Sequence, residues 1–511
     1  MISALAWVRK GVAAERPSRH EMTEEEYARL QTEAASEINE AKRELKQTTD
    51  TELLNDPALK DFDLEHYDSE NSSDEEAQDG PHIFSNIKGL SFYAEDEHDP
   101  LINGEDDAEL EAEEAEEERV FATDNLLLVA KTEDDISSID MCVFEPESDS
   151  LFVHHDFMLP AFPLQVTWLD YRVGRKAKME GSGNYVAVAT FEPRIEIWDL
   201  DTLDAAYPDL VLGTTDKKAL RKAKGKPHKE FHTDAVMDMS WNTNVRNLLA
   251  SSSADTTVKL WDLSSAVCVQ SYEHHKNKVQ AVQWHPSDSS VLLTGGYDKR
   301  VSVFDSRAPN AISWWTVDAD VESVMWDVHS PSHFYVATDS GLVRYFDVRM
   351  GENSAPVFTL VAHDEAVSAM DQHPTMPGML VTGSSDETVK VWDVRTKPSM
   401  VMSRNPDVGS IFSAKFCPDE PMLLAMGGSN GESRIWDMAT TMQIRRVFGG
   451  EAVASVVVEE KPMVGIQNDE DKEEDPENTH EAVIAEMRGT GTQPTDGDSG
   501  DSDESMDSDS D

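Results

Sequence analysis

The chain is 511 residues long and carries 100 Asp and Glu against 44 Lys and Arg, a formal net charge of -56. No stretch approaches the roughly 18 consecutive apolar residues of a membrane-spanning helix, and three scattered cysteines make neither a disulfide framework nor a zinc site. The acid is concentrated: residues 61–120 hold 23 acidic and 2 basic residues, and residues 459–511 hold 19 and 3.

The opening residues, Met1 to Val8, run directly into Arg9 and Lys10 and lack the order of a secretory signal. Together with the cysteine usage this predicts an intracellular, reduced protein. Residues 1–124 read as an acidic, mostly disordered arm, because so few apolar groups cannot offset the entropy of folding. Within it, Thr23 and Glu26 form a capping box. Tyr27, Leu30, Ala34, Ile38, Ala41 and Leu45 recur at spacings of three and four, which predicts a helix near 23–47 that is polar on most sides. Such a helix suits docking on a partner. Apolar islands at 4–8, 62–67 and 83–93 are either accidental or peptide anchors, with the protein's own body among the surfaces they could meet. Ser72 and Ser73 each have Glu three residues on, the pattern of acid-directed phosphorylation.

A repeat organises residues 125–459. An aromatic followed by an acid recurs at Phe144, Trp198, Trp261, Phe304, Phe346, Trp392 and Trp436, at spacings of 54, 63, 43, 42, 46 and 44. A second register runs through Trp168, Trp241, Trp284 and Trp326. Each unit reads as short alternating strands, with an Asp or Asn turn between the second and third. Four strands per forty-odd residues ending in Trp-Asp is the signature of a WD40 propeller blade. The fold class is therefore all-β, a seven-bladed WD40 β-propeller. The first repeat shows no inner strand ahead of residues 126–130, and the last apolar run, 453–458, is unclaimed. Pairing of N- and C-terminal strands is thus expected to close the ring, with 453–458 filling the vacant place.

His232, Asp255 and Trp261 share a unit, as do His275, Asp298 and Phe304, and His363, Asp386 and Trp392. His with Asp and Ser invites a catalytic triad. Three copies at repeat spacing argue instead for a hydrogen-bond network that locks each blade. Phe304 in place of Trp should truncate the second network. His154 and His155 sit beside Asp156, yet neighbours on a strand point to opposite faces, which argues against a shared metal. No nucleotide-binding or metalloprotease motif is present. The sequence predicts no metal, no cofactor, no small-molecule substrate and no enzyme activity.

Two repeats exceed the period, and both surpluses are basic. One carries Lys217, Lys218, Arg221, Lys222, Lys224, Lys226 and Lys229, in the link from blade two's outer strand to blade three's inner strand. The other carries Arg172, Arg175, Lys176 and Lys178, in the link between the inner and second strands of blade two, which opens on the opposite face. A basic block in an acidic protein serves polyanion contact or import, or is a solvated loop. Phosphate contact would set affinity and salt dependence without reading sequence. Residues 460–511 read as an acidic disordered tail in which Ser508, three residues before Asp511, is a further phosphorylation candidate. The acid tracts either solvate the protein or meet basic partners such as ribosomal proteins or histone tails.

The opening Ala6-Trp-Val-Arg9, the Val153-His-His-Asp156 run leading to Pro163, and the stretches 232–242 and 253–262 together resemble the periodic tryptophan protein 1 family. The resemblance implies a nucleolar, hence nuclear, WD-repeat factor. Its expected role is in assembly of the large ribosomal subunit and in ribosomal-RNA production and processing, with a link to chromatin. It implies contact with precursor ribosomal RNA and assembly factors, and no catalysis. Two other readings stay open. The ends Phe304-Asp-Ser-Arg307, Phe346-Asp-Val-Arg349 and Trp392-Asp-Val-Arg395 resemble the box by which substrate receptors dock on cullin-ring ubiquitin ligases, although an Arg neutralising nearby acid at the blade edge is the favoured explanation. The acidic tails would also suit a histone-binding chaperone.

Overall fold

A computed structural model describes residues 1–20, 119–146, 148–179, 181–223, 226–308, 310–449 and 460–466. Short apolar runs in a chain with a turn residue every few positions can bury backbone polar groups only by pairing with one another. Seven four-stranded antiparallel sheets result. Blade four is typical, with Val279–Trp284 innermost, then Val291–Gly296, Arg300–Asp305 and Ile312–Thr316. Second strands such as Tyr185–Thr190, Met379–Ser384 and Leu423–Gly428 are buried at every residue, because a neighbouring blade covers each face. The inner strands touch in succession around the ring, and the last touches the first.

The turn chemistry follows from the acid read in the sequence. Between second and third strands the residue after the Asp takes a left-handed conformation, φ 69° at Thr256, 61° at Lys299 and 64° at Glu387. Carboxylates offset that strain by accepting the amide two residues on, as Asp255 does from Thr257 and Asp386 from Thr388, both at 3.0 Å.

Inner strands also carry polar side chains that join one blade to the next. Gln165 Nε2 donates to Asp238 Oδ1 at 2.8 Å, and the Val282 amide donates to the other oxygen of Asp238 at 2.9 Å. The Trp326 amide donates to Gln283, the Val328 amide to Gln372 and the Phe416 amide to Asp371. Trp7 Nε1 then donates to the Lys415 carbonyl at 3.0 Å. Burial pushes the Asp238 and Asp371 carboxyls up from the ordinary range. Nothing in the sequence reading anticipated this girdle: its bonds span the repeat period, 43 to 45 residues from Asp238 onward, but the side chains that make them change in type and place from strand to strand.

The closure of the ring differs from the expectation. The inner strand of blade one is Ile2–Val8, paired with Asn125–Glu133. Residues 453–458 lie outside the described residues, and the outer strand of blade seven is Val464–Gly465. The chain ends therefore complete two adjacent blades rather than pairing within one, and a parallel bridge between Leu151 and Ile466 ties those blades together. The 4–8 island is thus part of the propeller. Ile2, Leu5 and Trp7 pack with Cys417, Leu423 and Ala425 of blade seven. A Cβ on Gly427 would fall 2.6 Å from Ile2 Cγ2, so this approach requires glycine there. Residues 9–20 then run along the base of the ring, where Ser18–Arg19 pairs in parallel with Thr202–Leu203. The helix expected near 23–47, Ser72, Ser73 and Ser508 lie outside the described residues.

Candidate nucleic-acid interface

The 217–229 insertion leaves the outer strand Leu210–Leu212 and enters Val236–Trp241, as the repeat arithmetic placed it. Its first half is the helix Lys217–Ala223, entered at Asp216, whose carboxylate accepts the Lys218 amide at 2.8 Å. Its second half is pinned to blade three. Lys259, buried in the third strand, donates Nζ to the His228 carbonyl and to Ser271 Oγ, and Thr233 Oγ1 donates to the Lys226 carbonyl at 3.2 Å. His228 stacks on Phe231 at 3.9 Å. Lys218, Arg221, Lys222, Lys226 and Lys229 all stand exposed on this anchored link. The Lys217 and Lys224 side chains lie outside the described ones.

The second insertion is a different object. It forms the 3-10 turn Gly174–Lys178 between the inner and second strands of blade two, at the opposite end of the ring. Lys176 bridges Asp199 at 2.9 Å and Asp209 at 2.6 Å, and although partial burial works against its charge, the two carboxylates raise its pKa above the ordinary lysine value. Arg172 is half-buried, with its charge near Asp201. Arg175 and Lys178 are exposed. Two of the four candidates therefore serve the blade itself, and the two basic segments form no common surface.

The sequence reading also missed cations that stand singly. Lys276 and Lys299 are exposed on blade four at the same end of the ring as the 217–229 link. Lys278 lies over the Tyr297 ring at 3.6 Å. The signal was absent because each belongs to a different turn.

The His networks assemble as triads of partners. His232 Nδ1 meets Asp255 at 3.0 Å, its Nε2 meets Ser251 Oγ at 2.7 Å, and Trp261 Nε1 donates to the same Ser251 oxygen at 2.8 Å. His363, Asp386, Thr382 and Trp392 repeat this at 2.9, 2.8 and 2.9 Å. In blade four the network is rerouted rather than truncated. His275 contacts Asp298 at 3.1 Å and Thr294 at 2.8 Å, and Thr294 Oγ1 pairs with Ser302 Oγ, which in turn meets His274 Nε2 at 3.1 Å. Burial lowers the pKa of His232 and of His363. For Asp255 burial works upward, but the bonds from His232, Thr257 and the Thr233 amide outweigh it and hold the carboxyl below its ordinary range.

The opposite-face placement expected of His154 and His155 fails at a β-bulge. The ladder slips between Met141 and Cys142, so the rings come together, with Nδ1 atoms 2.7 Å apart. Among the described residues no group of three or more His, Cys, Asp or Glu is placed to hold a metal ion. In the three Phe/Trp-Asp-x-Arg ends, each Arg folds back on its own Asp through two bonds, with Nη2 to Oδ2 at 2.7 Å for Arg307, 2.8 Å for Arg349 and 2.7 Å for Arg395.

Seven meandering sheets, Trp-Asp ends and His–Asp locks define a WD-repeat β-propeller, the architecture of an interaction scaffold. The family described as WD domain, G-beta repeat matches residues 225–262, 266–305 and 354–393. The chain is 39% identical to an uncharacterized WD repeat-containing protein of Schizosaccharomyces pombe, across 90% of this chain and 93% of the relative. It is 37% identical to periodic tryptophan protein 1 of Saccharomyces cerevisiae, over 88% and 90% of the two chains. Against the periodic tryptophan protein 1 homolog of Drosophila melanogaster the figures are 31%, 88% and 96%. The chain belongs to the periodic tryptophan protein 1 family.

Proposed function

We propose that this protein is a non-catalytic scaffold acting in the nucleolus, in assembly of the large ribosomal subunit and production of ribosomal RNA, where it contacts precursor RNA and its assembly factors. One observation carries the RNA contact: five exposed cations, Lys218, Arg221, Lys222, Lys226 and Lys229, project from a single anchored link of a protein whose net charge is -56. Concentrated positive charge held against that background has its use at a polyanion, where each neutralised phosphate releases counterions. Family membership supports the ribosomal setting. The docking box for a ubiquitin ligase is less well supported, because the three arginines it needs are already paired with their own carboxylates.

Crosslinking to RNA in nucleolar extract tests the reading, with charge reversal of the five cations as the control. Reversal should abolish crosslinks at the link and flatten the dependence of log affinity on log salt, by up to about 0.7 per lost single-strand phosphate contact. Reversal of Arg175 and Lys178 on the far face should leave the slope unchanged. Undiminished crosslinking after reversal of the five would overturn the RNA contact, and sedimentation of the protein only as a free species would overturn the assembly role.

A further inference from the structure

Blade one is built unlike the others. Its outer strand Ser150–Leu159 has 10 residues, where that of blade two has 3 and that of blade three 6. Its second and third strands, Asn125–Glu133 and Ile136–Glu145, are 9 and 10 residues long and overrun the ring. One face of this sheet packs on blade seven through Leu127, Val129 and Cys142. Pairing places Lys131, Ser138 and Met158 side by side farther along, beside the neighbouring row of Asp140 and Asp156.

A groove of about 410 Å³ lies there. Ile136, Met158 and Val153 line it at 60%, 62% and 40% exposure, so three large apolar side chains converge on open solvent. Single exposed apolar residues are ordinary, but a converging set marks an interaction site. Four of the other six lining residues are acidic: Glu133, Asp134, Asp140 and Asp156. The one lysine, Lys131, is paired with Glu133 at 2.6 Å. Asp140 is buried with Ser138 Oγ as its partner at 2.6 Å, and burial raises its pKa, so a nearby cation would relieve it. Among the described residues, the outer strand is bridged on its outward side at Leu151, by Ile466.

We propose that this groove takes an extended segment of a partner protein in which an apolar and a basic side chain stand two residues apart, laid along the outer strand of blade one. A period of two puts both side chains on one face of an added strand, the apolar one against Ile136 and Met158 and the basic one against Asp156 and Asp140. Charge narrows the occupant: four carboxylates facing one paired lysine repel an acidic segment, and a second copy of so acidic a chain brings the same sign. The chain's own Lys88 and Leu90 share the pattern, so peptide binding that appears only after Lys88→Ser with Leu90→Ser would make that island the occupant and overturn the proposal. The proposal is independent of the RNA reading, which concerns another blade.

The test is fluorescence anisotropy of the full-length chain with the labelled peptide Ser-Lys-Ser-Leu-Ser-Lys-Ser-Leu. The comparison is the double variant Asp156→Lys with Met158→Lys, both at exposed positions. Acid tracts elsewhere attract the peptide equally in both chains, so the difference isolates the groove. The double variant should bind at least about tenfold more weakly with an unchanged melting temperature, and a peptide with Ser in place of Leu should bind the unaltered chain as weakly. If the double variant melts lower, Ile136→Lys alone replaces it. Equal binding by variant and unaltered chain, or by the two peptides, overturns the proposal. So does a concentration-dependent dimer that the variant abolishes and the peptide does not compete with, which would make a second copy the occupant.

Discussion

At His232 both ring nitrogens are engaged, one by Asp255 and one by Ser251, and the ring is fully buried. A nucleophile must reach a substrate, and Ser251 is itself fully buried beneath Trp261. Removing the imidazole strands a buried carboxylate and hydroxyl. His232→Ala should therefore cost about 3 kcal/mol in urea unfolding. Buried histidines also set a pH dependence. Burial lowers the pKa of His155 to about 4 and of His274 to about 3. Each stays neutral in the fold and gains its proton on unfolding, so its contribution is present above about pH 6.5 and is lost as pH falls toward the folded value. The urea midpoint should drop between about pH 7.5 and 5, by at most about 1.4 kcal/mol per pH unit for each such group, and His274→Gln should flatten that fall. His232, Asp255 and their copies were legible because they recur at fixed spacing. The part played by Ser302 and His274 was not, since only the fold shows where a hydroxyl turns once its Trp is missing. Nor was the bulge at His154, because a slipped ladder leaves no mark in the order of residues.

The inner strand Ile2–Val8 is the element on which the ring depends. Its Leu5 is buried against blade seven, so Leu5→Ala should cost about 2–5 kcal/mol, and loss of residues 1–8 should abolish the cooperative melt followed by circular dichroism. Most blades could be read from the chain because their four strands are sequential and their partners lie a turn away. Blade one could not, because residues 9–124 separate its first two strands, and apolar patterning reveals that a strand exists without naming its partner. The 4–8 island is visible as apolar, yet the run at 453–458 is equally apolar and claims the same vacancy. The helix Met442–Phe448 was missed for a local reason: Thr441 caps it without a side-chain bond, and only Ile444 is buried.

For the molecule as a whole, the two ends of the ring are chemically distinct. One end carries the anchored basic link and the singly placed lysines of blade four. The other carries the strap of Ser18–Arg19 and a turn whose lysine is consumed by its own blade. Blade count and the position of both insertions followed from repeat arithmetic, since an excess over a fixed period must fall in a link. Which cations remain free did not, because that depends on carboxylates brought near by folding.

The strap has a consequence for covalent integrity. The first twenty residues are held in place by a strand pairing, a core contact and the parallel bridge at Thr202–Leu203, so their seat does not rely on the peptide chain that follows. A single proteolytic nick between residues 20 and 119 would leave a two-piece particle whose short fragment plugs the first sheet by association. Its cohesion would then follow mass action, weakening on dilution and restored by added fragment.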